Sequence, residues 1–392
     1  MTTAKIRPLA VVGLVLVAIN LRPAVTSLGP VLEEVRASLG MSAAVAGLLT
    51  SVPAVCFAVV GSTAPLLARR WGTGGVIALG TTALALGLAV RPFAAGTASF
   101  IALTALALAG IALANVLLPV VVKQRFPDRV GAMTGIYSVA LNLGASTAAA
   151  VTVPLTSGAF GGDWRLGLGV WAVIAAAALP PWILLARDRT APATPTSVTA
   201  DAGLQLRRQP IAWALAVYFG LQSTAAYVIM GWLPQIFRDA GLSARTAGLL
   251  FAVTALLGVP LSFALSALAG RLPRQSGVAI LIGLFGLAGY TGLWFDPAAA
   301  PWLWVVLLGV ANCSFPLVLT MIALRGRDTA TVARLSAFAQ STGYLLSVPG
   351  PIVVGVLYDH TGSWRIPLGL MAGLMVPQMV AGALAGRDRQ IG

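Results

Sequence analysis

The feature that most constrains this chain is a succession of apolar runs, each long enough to cross a bilayer and separated by short polar breaks. The runs fall at about 9–32, 43–68, 74–92, 97–122, 131–155, 165–186, 210–235, 245–270, 276–295, 301–323, 332–357 and 365–386. About 20 helical residues span the hydrocarbon layer. Inside it, backbone N–H and C=O groups must be satisfied within the segment, which selects helices for runs of this kind. The expected fold class is therefore all-α integral membrane, with twelve transmembrane helices. Composition agrees, since only 9% of residues are charged, against about 25% in a soluble domain.

The net charge of +14 raises the question of nucleic acid, but the basic residues flank apolar runs and do not form a patch, so no nucleic-acid partner is expected. Cys56 and Cys313 lie inside runs and read as buried small hydrophobes. With one histidine, His360, neither a metal site nor a cofactor is expected. Lys5 and Arg7 precede the first run as in a signal peptide. That run is too long and is interrupted by Arg22, so it reads as an uncleaved first span.

The longest polar stretch, 187–209, carries Ala191-Pro-Ala-Thr-Pro-Thr196 and Arg207-Arg208 and has the composition of a linker. It divides the chain into a six-helix half at 1–187, a linker at 188–209 and a six-helix half at 210–392. With the N-terminus inside, 18 basic residues collect on one side and 6 on the other, Arg22 lying within a span. That asymmetry places both termini and the linker in the cytoplasm and the spans in the cytoplasmic membrane. The halves also repeat. Asn115-Val-Leu-Leu-Pro119 in span four recurs as Asn312-Cys-Ser-Phe-Pro316 in span ten, and Asp163-Trp-Arg165 recurs as Ser363-Trp-Arg365. Parallel six-span repeats signal a major-facilitator architecture, with the solute site near the midplane.

Arg22 lies near the middle of span one, where a charge costs about 2.5–3.5 kcal/mol on insertion scales. Pro23 beside it has no N–H, so the carbonyl of Ile19 loses its helical partner. Arg22 is either a bundle-holding arginine or a solute ligand. It shares a face with Thr26, whereas Asn20 points elsewhere on a regular helix. In each Asn-x-x-x-Pro the proline frees the carbonyl of the asparagine, so Asn115 and Asn312 are either kink staples or site residues. Other polar side chains at mid-depth are Tyr137 and Asn142 in span five, Tyr218 and Gln222 in span seven, and Gln340 and Tyr344 in span eleven. Tyr218/Gln222 and Gln340/Tyr344 are four apart and share a helix face. All eleven acids sit at span ends or in loops, so none is placed to relay protons or neutralise a cation. A site with an arginine and no acid suits an anion or a strongly dipolar molecule.

With Asn20-Leu-Arg-Pro-Ala-Val-Thr-Ser-Leu-Gly-Pro30 in view, the chain resembles the cyanate and 2-nitroimidazole transporter branch of the major facilitator superfamily. The resemblance covers essentially the whole chain. The superfamily loop after span two survives in part as Gly61-Ser-Thr-Ala-Pro65-Leu-Leu-Ala-Arg69-Arg70, with Pro65 where the family has aspartate. The resemblance implies secondary transport by alternating access of a small anion or a compact nitro-aromatic. The leading expectation is a cyanate-like anion with Arg22 as counter-charge. Efflux of a neutral nitro-aromatic such as 2-nitroimidazole is the alternative, and a non-transporting membrane sensor is a third. No nucleophile–base or metal constellation at mid-depth supports an enzyme. The expected partners are a small-molecule substrate and the lipid bilayer, with the chain acting as a monomer.

Overall fold

The computed structural model describes residues 3–186 and 208–391. The linker expected at 188–209 thus lies almost wholly outside the described residues. The chain is helical in the order α1 (Thr3–Asn20), α2 (Pro23–Thr26), α3 (Leu32–Leu39), α4 (Ala43–Val90), α5 (Thr97–Arg125), α6 (Val130–Pro154), α7 (Trp164–Gly169), α8 (Trp171–Ala177) and α9 (Leu179–Ala186), followed by α10 (Pro210–Asp239), α11 (Ala244–Arg271), α12 (Ser276–Phe295), α13 (Pro301–Ala311), α14 (Ser314–Arg325), α15 (Thr329–Ser347), α16 (Pro349–Thr361) and α17 (Arg365–Ala385). Eleven helical stretches among the described residues are long and apolar enough to cross a membrane. One of them, Ala43–Phe93, holds two crossings, because α4 turns at Gly72 with φ 76° and ψ 155°. The twelve-helix fold expected from the runs is the fold observed.

The chain forms two compact units. One comprises Met1–Met41 and Val55–Pro195, the other Ser42–Ala54 and Thr196–Gly392. In the first, α1 packs along α6 and α9. In the second, α10 lies against α15 and α17, and α12 against α13 and α17, around a core that includes Tyr218, Phe219, Leu317 and Met321.

The second unit is entered early. The opening turns of α4 belong to it, although the rest of α4 belongs to the first unit. The Asp359 carboxylate accepts the backbone N–H groups of Ala43 and Ala44 at 2.8 and 2.7 Å, satisfying donors that a helix start leaves open. Ser51 donates to the carbonyl of Val348 at 2.7 Å. Gly47 and Gly355 let the backbones meet, since a Cβ at either would press into the carbonyl of Pro351 or of Ala43.

The repeated Trp-Arg corners are built alike. The side chains of Asp163 and Ser363 accept the N–H two residues on, Arg165 at 2.8 Å and Arg365 at 3.3 Å. Each arginine lies over an indole, Arg165 over Trp164 at 4.6 Å and Arg365 over Trp294 at 5.9 Å.

Candidate functional site

In the first unit, span one is interrupted around Arg22. The helix α1 stops at Asn20, α2 makes a single turn, Gly29–Val31 forms a 3-10 turn, and α3 follows. Pro23 causes the first interruption by withdrawing an N–H from Ile19. The freed Ile19 carbonyl lies against the backbone of Gly144 in α6, where any Cβ would collide with it. Asn20 is buried, and its Nδ2 donates to the carbonyls of Leu16 at 2.7 Å and Ile174 at 3.1 Å. It staples α1 to α8. Arg22 sits at the start of α2, half-buried, and its guanidinium makes no hydrogen bond or ion pair to a described residue. Its carbonyl accepts the Thr26 hydroxyl at 3.2 Å.

Asn115 is half-buried in α5, which runs unbroken through Pro119. Its amide makes no hydrogen bond to a described residue. Tyr137 is half-buried in α6, and Asn142 donates to the Ser138 carbonyl one turn back at 2.8 Å. No hydrogen bond among the described residues joins any two of Arg22, Asn115, Tyr137 and Asn142.

The second unit assembles its polar residues. Span ten breaks at Asn312 and Cys313, between α13 and α14. Pro316 has no N–H for the Asn312 carbonyl, which instead accepts from the Phe315 N–H at 3.2 Å and from Gln222 Nε2 at 3.2 Å. Gln222 Nε2 also reaches Asn312 Oδ1 at 2.8 Å. Gln378 Nε2 in turn faces Gln222 Oε1 at 3.5 Å and Ser314 Oγ at 3.3 Å.

These side chains border a small cavity whose lining includes Gln222, Ile229, Tyr290, Asn312, Met375 and Gln378, and no charged residue. The Tyr290 hydroxyl and Gln378 Oε1 are buried there without a hydrogen-bond partner. Pairing a buried polar atom is worth about 1–3 kcal/mol; Gln378 Oε1 can accept a hydrogen bond and the Tyr290 hydroxyl can donate or accept one. Met375 and Ile229 give the rest of the lining an apolar surface.

Of the residues singled out in the second half, Gln222 and Asn312 meet at this cavity. Tyr218, one turn from Gln222, does not line it. Its ring is fully buried in the core against Gly382. Gln340 donates to Ser336 at 2.6 Å, and Tyr344 packs edge-on against Phe219 at 4.9 Å. Neither lines the cavity.

Tyr290, Ser314 and Gln378 are not among the residues singled out from the sequence, although Ser314 lies inside the Asn312–Pro316 motif. Gln378 carried the available signal, being an amide inside an apolar run. Reasoning also counted Arg91 and Arg325 as flanking charges, yet both are buried, at 0% and 2% exposure. Arg325 is tied to the Ala385 carbonyl at 3.1 Å and to Gln275. No cluster of described side chains could hold a metal ion.

The broken spans and the paired helical units find their counterpart in a known family. The profile of the Major Facilitator Superfamily matches residues 14–348. The chain belongs to that superfamily. As one of its transporters, it is a multi-pass membrane protein.

Its relatives include a 2-nitroimidazole transporter and a cyanate transport protein, the branch that the Asn-Leu-Arg-Pro segment indicated. It is 36% identical over 388 residues to a Bacillus subtilis (strain 168) protein named as the uncharacterized transporter YycB, covering 97% of this chain and 94% of that one. It is 33% identical over 393 residues to the 2-nitroimidazole transporter of Escherichia coli (strain K12), covering 99% and 98%. It is 29% identical over 368 residues to the cyanate transport protein CynX of the same organism, covering 93% and 94%.

Proposed function

We propose that this facilitator carries a compact, planar, strongly dipolar solute across the cytoplasmic membrane by alternating access, and that a neutral N–H heterocycle of the 2-nitroimidazole type fits it best. The observation that carries this reading is the cavity of the second unit. Its wall is neutral, and its two unpaired atoms ask for a ligand that both donates and accepts. A ring N–H can satisfy Gln378 Oε1, while an acceptor such as a nitro oxygen can take the Tyr290 proton. A bare triatomic anion offers no donor. The 33% identity to a 2-nitroimidazole transporter supports the same class.

A second reading, a cyanate-like monoanion, is favoured by Arg22. Its guanidinium makes no hydrogen bond or ion pair to a described residue. It could form a charge-assisted, bidentate contact with an anion. The identity to a cyanate transport protein supports that class. Asn115, Tyr137 and Asn142 remain candidate contacts of the first unit under either reading.

Flux into proteoliposomes separates the two. For a neutral solute, Tyr290→Phe and Gln378→Leu should each lower uptake of 2-nitroimidazole about tenfold, while Arg22→Lys and Arg22→Gln weaken it to a similar, smaller degree. For an anion, uptake should follow membrane potential, Arg22→Lys should keep weak binding and Arg22→Gln should abolish it. An Arg22→Gln protein that inserts and transports like the parent would make Arg22 a structural residue. Both termini and the linker are proposed to be cytoplasmic, so a cysteine introduced in 190–200 should resist impermeant thiol reagents in intact cells. Labelling from outside would reverse the orientation.

A further inference from the structure

Arg91 opens the 3-10 turn Arg91–Phe93 that ends α4. It is completely buried, and no carboxylate pairs with it among the described residues. One of its nitrogens is engaged, Nη1 donating to the carbonyl of Ala24 at 3.1 Å. Nε and Nη2 have no partner. Its guanidinium lies 5.5 Å from the Phe100 ring centroid, and this aromatic contact offsets only part of the desolvation of a buried cation.

The carbonyl it holds is a consequence of the second interruption in span one. In a continuous helix the Leu28 N–H would bond Ala24. Here that N–H turns to Val25 at 3.1 Å, and the Ala24 oxygen is vacated. Ala24 lies two residues past Arg22, within the same single turn, α2. A neutral amide or hydroxyl could have satisfied one carbonyl at far lower desolvation cost. What a guanidinium adds is strength and planarity, since a charge-assisted hydrogen bond is roughly twice as strong as a neutral one.

We propose that Arg91 is a positioning residue for Arg22: it pins the α2 turn through Ala24 so that the Arg22 side chain is presented in one orientation, at the expense of global stability. The proposal rests on the reading that Arg22 meets the solute, and its test contains an arm that needs no solute.

The test uses the full-length chain with Cys56→Ser and Cys313→Ser, adding Val25→Cys as a reporter on α2. Three quantities are followed in Arg91→Met and Arg91→Lys: the rate of N-ethylmaleimide alkylation at position 25, the Tm, and the Kd for 2-nitroimidazole and for sodium cyanate. Arg91→Met should speed alkylation at least fivefold, leave Tm at or above the parent value, and weaken whichever probe the parent binds by up to, and not beyond, the factor that Arg22→Gln costs for that probe. Arg91→Lys should recover most of the alkylation protection.

An alkylation rate unchanged in Arg91→Met overturns the proposal. So does a Tm fall of several degrees, or failure to insert, because either would mark Arg91 as a prop of the fold. If the parent binds neither probe, the substrate reading fails, while the alkylation and Tm arms still decide the role of Arg91.

Discussion

Asn115–Pro119 and Asn312–Pro316 are the same motif in two halves of one molecule, yet they produce different structures. The proline deprives the asparagine carbonyl of its helical N–H in both. In span four the helix α5 continues through Pro119, and the Asn115 amide stays without a hydrogen bond to a described residue. In span ten the helix separates into α13 and α14, and Gln222 reaches both the carbonyl and the amide of Asn312. A proline therefore only offers a break. Whether the chain takes it depends on a neighbour able to hold the released carbonyl. The segments before the motif differ as well: Gly110 lies five residues ahead of Asn115, whereas Gly309 lies three ahead of Asn312.

The sharpest way to break this comparison is to remove the neighbour. Gln222→Leu leaves Asn312 Oδ1 without its donor and the Asn312 carbonyl with the Phe315 N–H alone, a loss worth about 1–3 kcal/mol. Solute binding should fall about ten- to a hundredfold, and Asn312→Ala should behave alike. A double-mutant cycle should give a coupling on the order of 1–2 kcal/mol. Asn115→Ala should change binding less than about threefold, there being no polar neighbour to strand. Comparable losses at both asparagines, read by calorimetry on purified protein, would mean that the two halves use the motif alike.

Restoring the missing N–H is the next test. Pro316→Ala supplies a donor that competes with Gln222 for the Asn312 carbonyl, which favours resealing α13 and α14. Binding should weaken about fivefold with Tm unchanged or raised, since a helix-interior proline costs about 3 kcal/mol relative to alanine. Pro119→Ala, in a helix already continuous, should raise Tm and leave flux within about twofold. The smallest effect belongs to the other repeat. Asp163→Ala should cost about 1 kcal/mol of stability as a lost helix cap. Ser363→Ala, whose contact is longer, should cost only a few tenths on the same scale.

These contrasts mark how far the sequence could be read. Spans and the family branch were legible, because bilayer thickness and hydrogen-bond satisfaction act on every residue of a run. The breaks at Pro23 and Pro316 were legible too, since a missing N–H is a local fact. Their partners were not. That Ile19 turns to Gly144, Ala24 to Arg91 and Asn312 to Gln222 depends on residues between 67 and 125 positions apart, and on which turn faces which. Gln222 and Tyr218 show the limit plainly. They share a face of one helix, yet one borders a cavity and the other fills the core, because Gly382 admits the tyrosine ring and nothing fills the space beside Gln222. Arg91 does stand at a span end; its burial was not legible, because an exposed span end and a buried turn have the same composition.

The early entry of Ser42–Ala54 into the second unit bears on protein engineering. A chimaera between two such transporters would naturally be joined in the linker, with each parent donating six spans. That junction gives the recipient's Asp359 a foreign helix start to cap, and sets a foreign backbone on the flat contact made by Gly47 and Gly355. The transferable cassette for the second parent is therefore discontinuous: residues 42–54 must travel with residues 210–391. Co-expression of the halves as separate polypeptides meets the same condition, because the second polypeptide alone lacks the thirteen residues that its own compact unit contains.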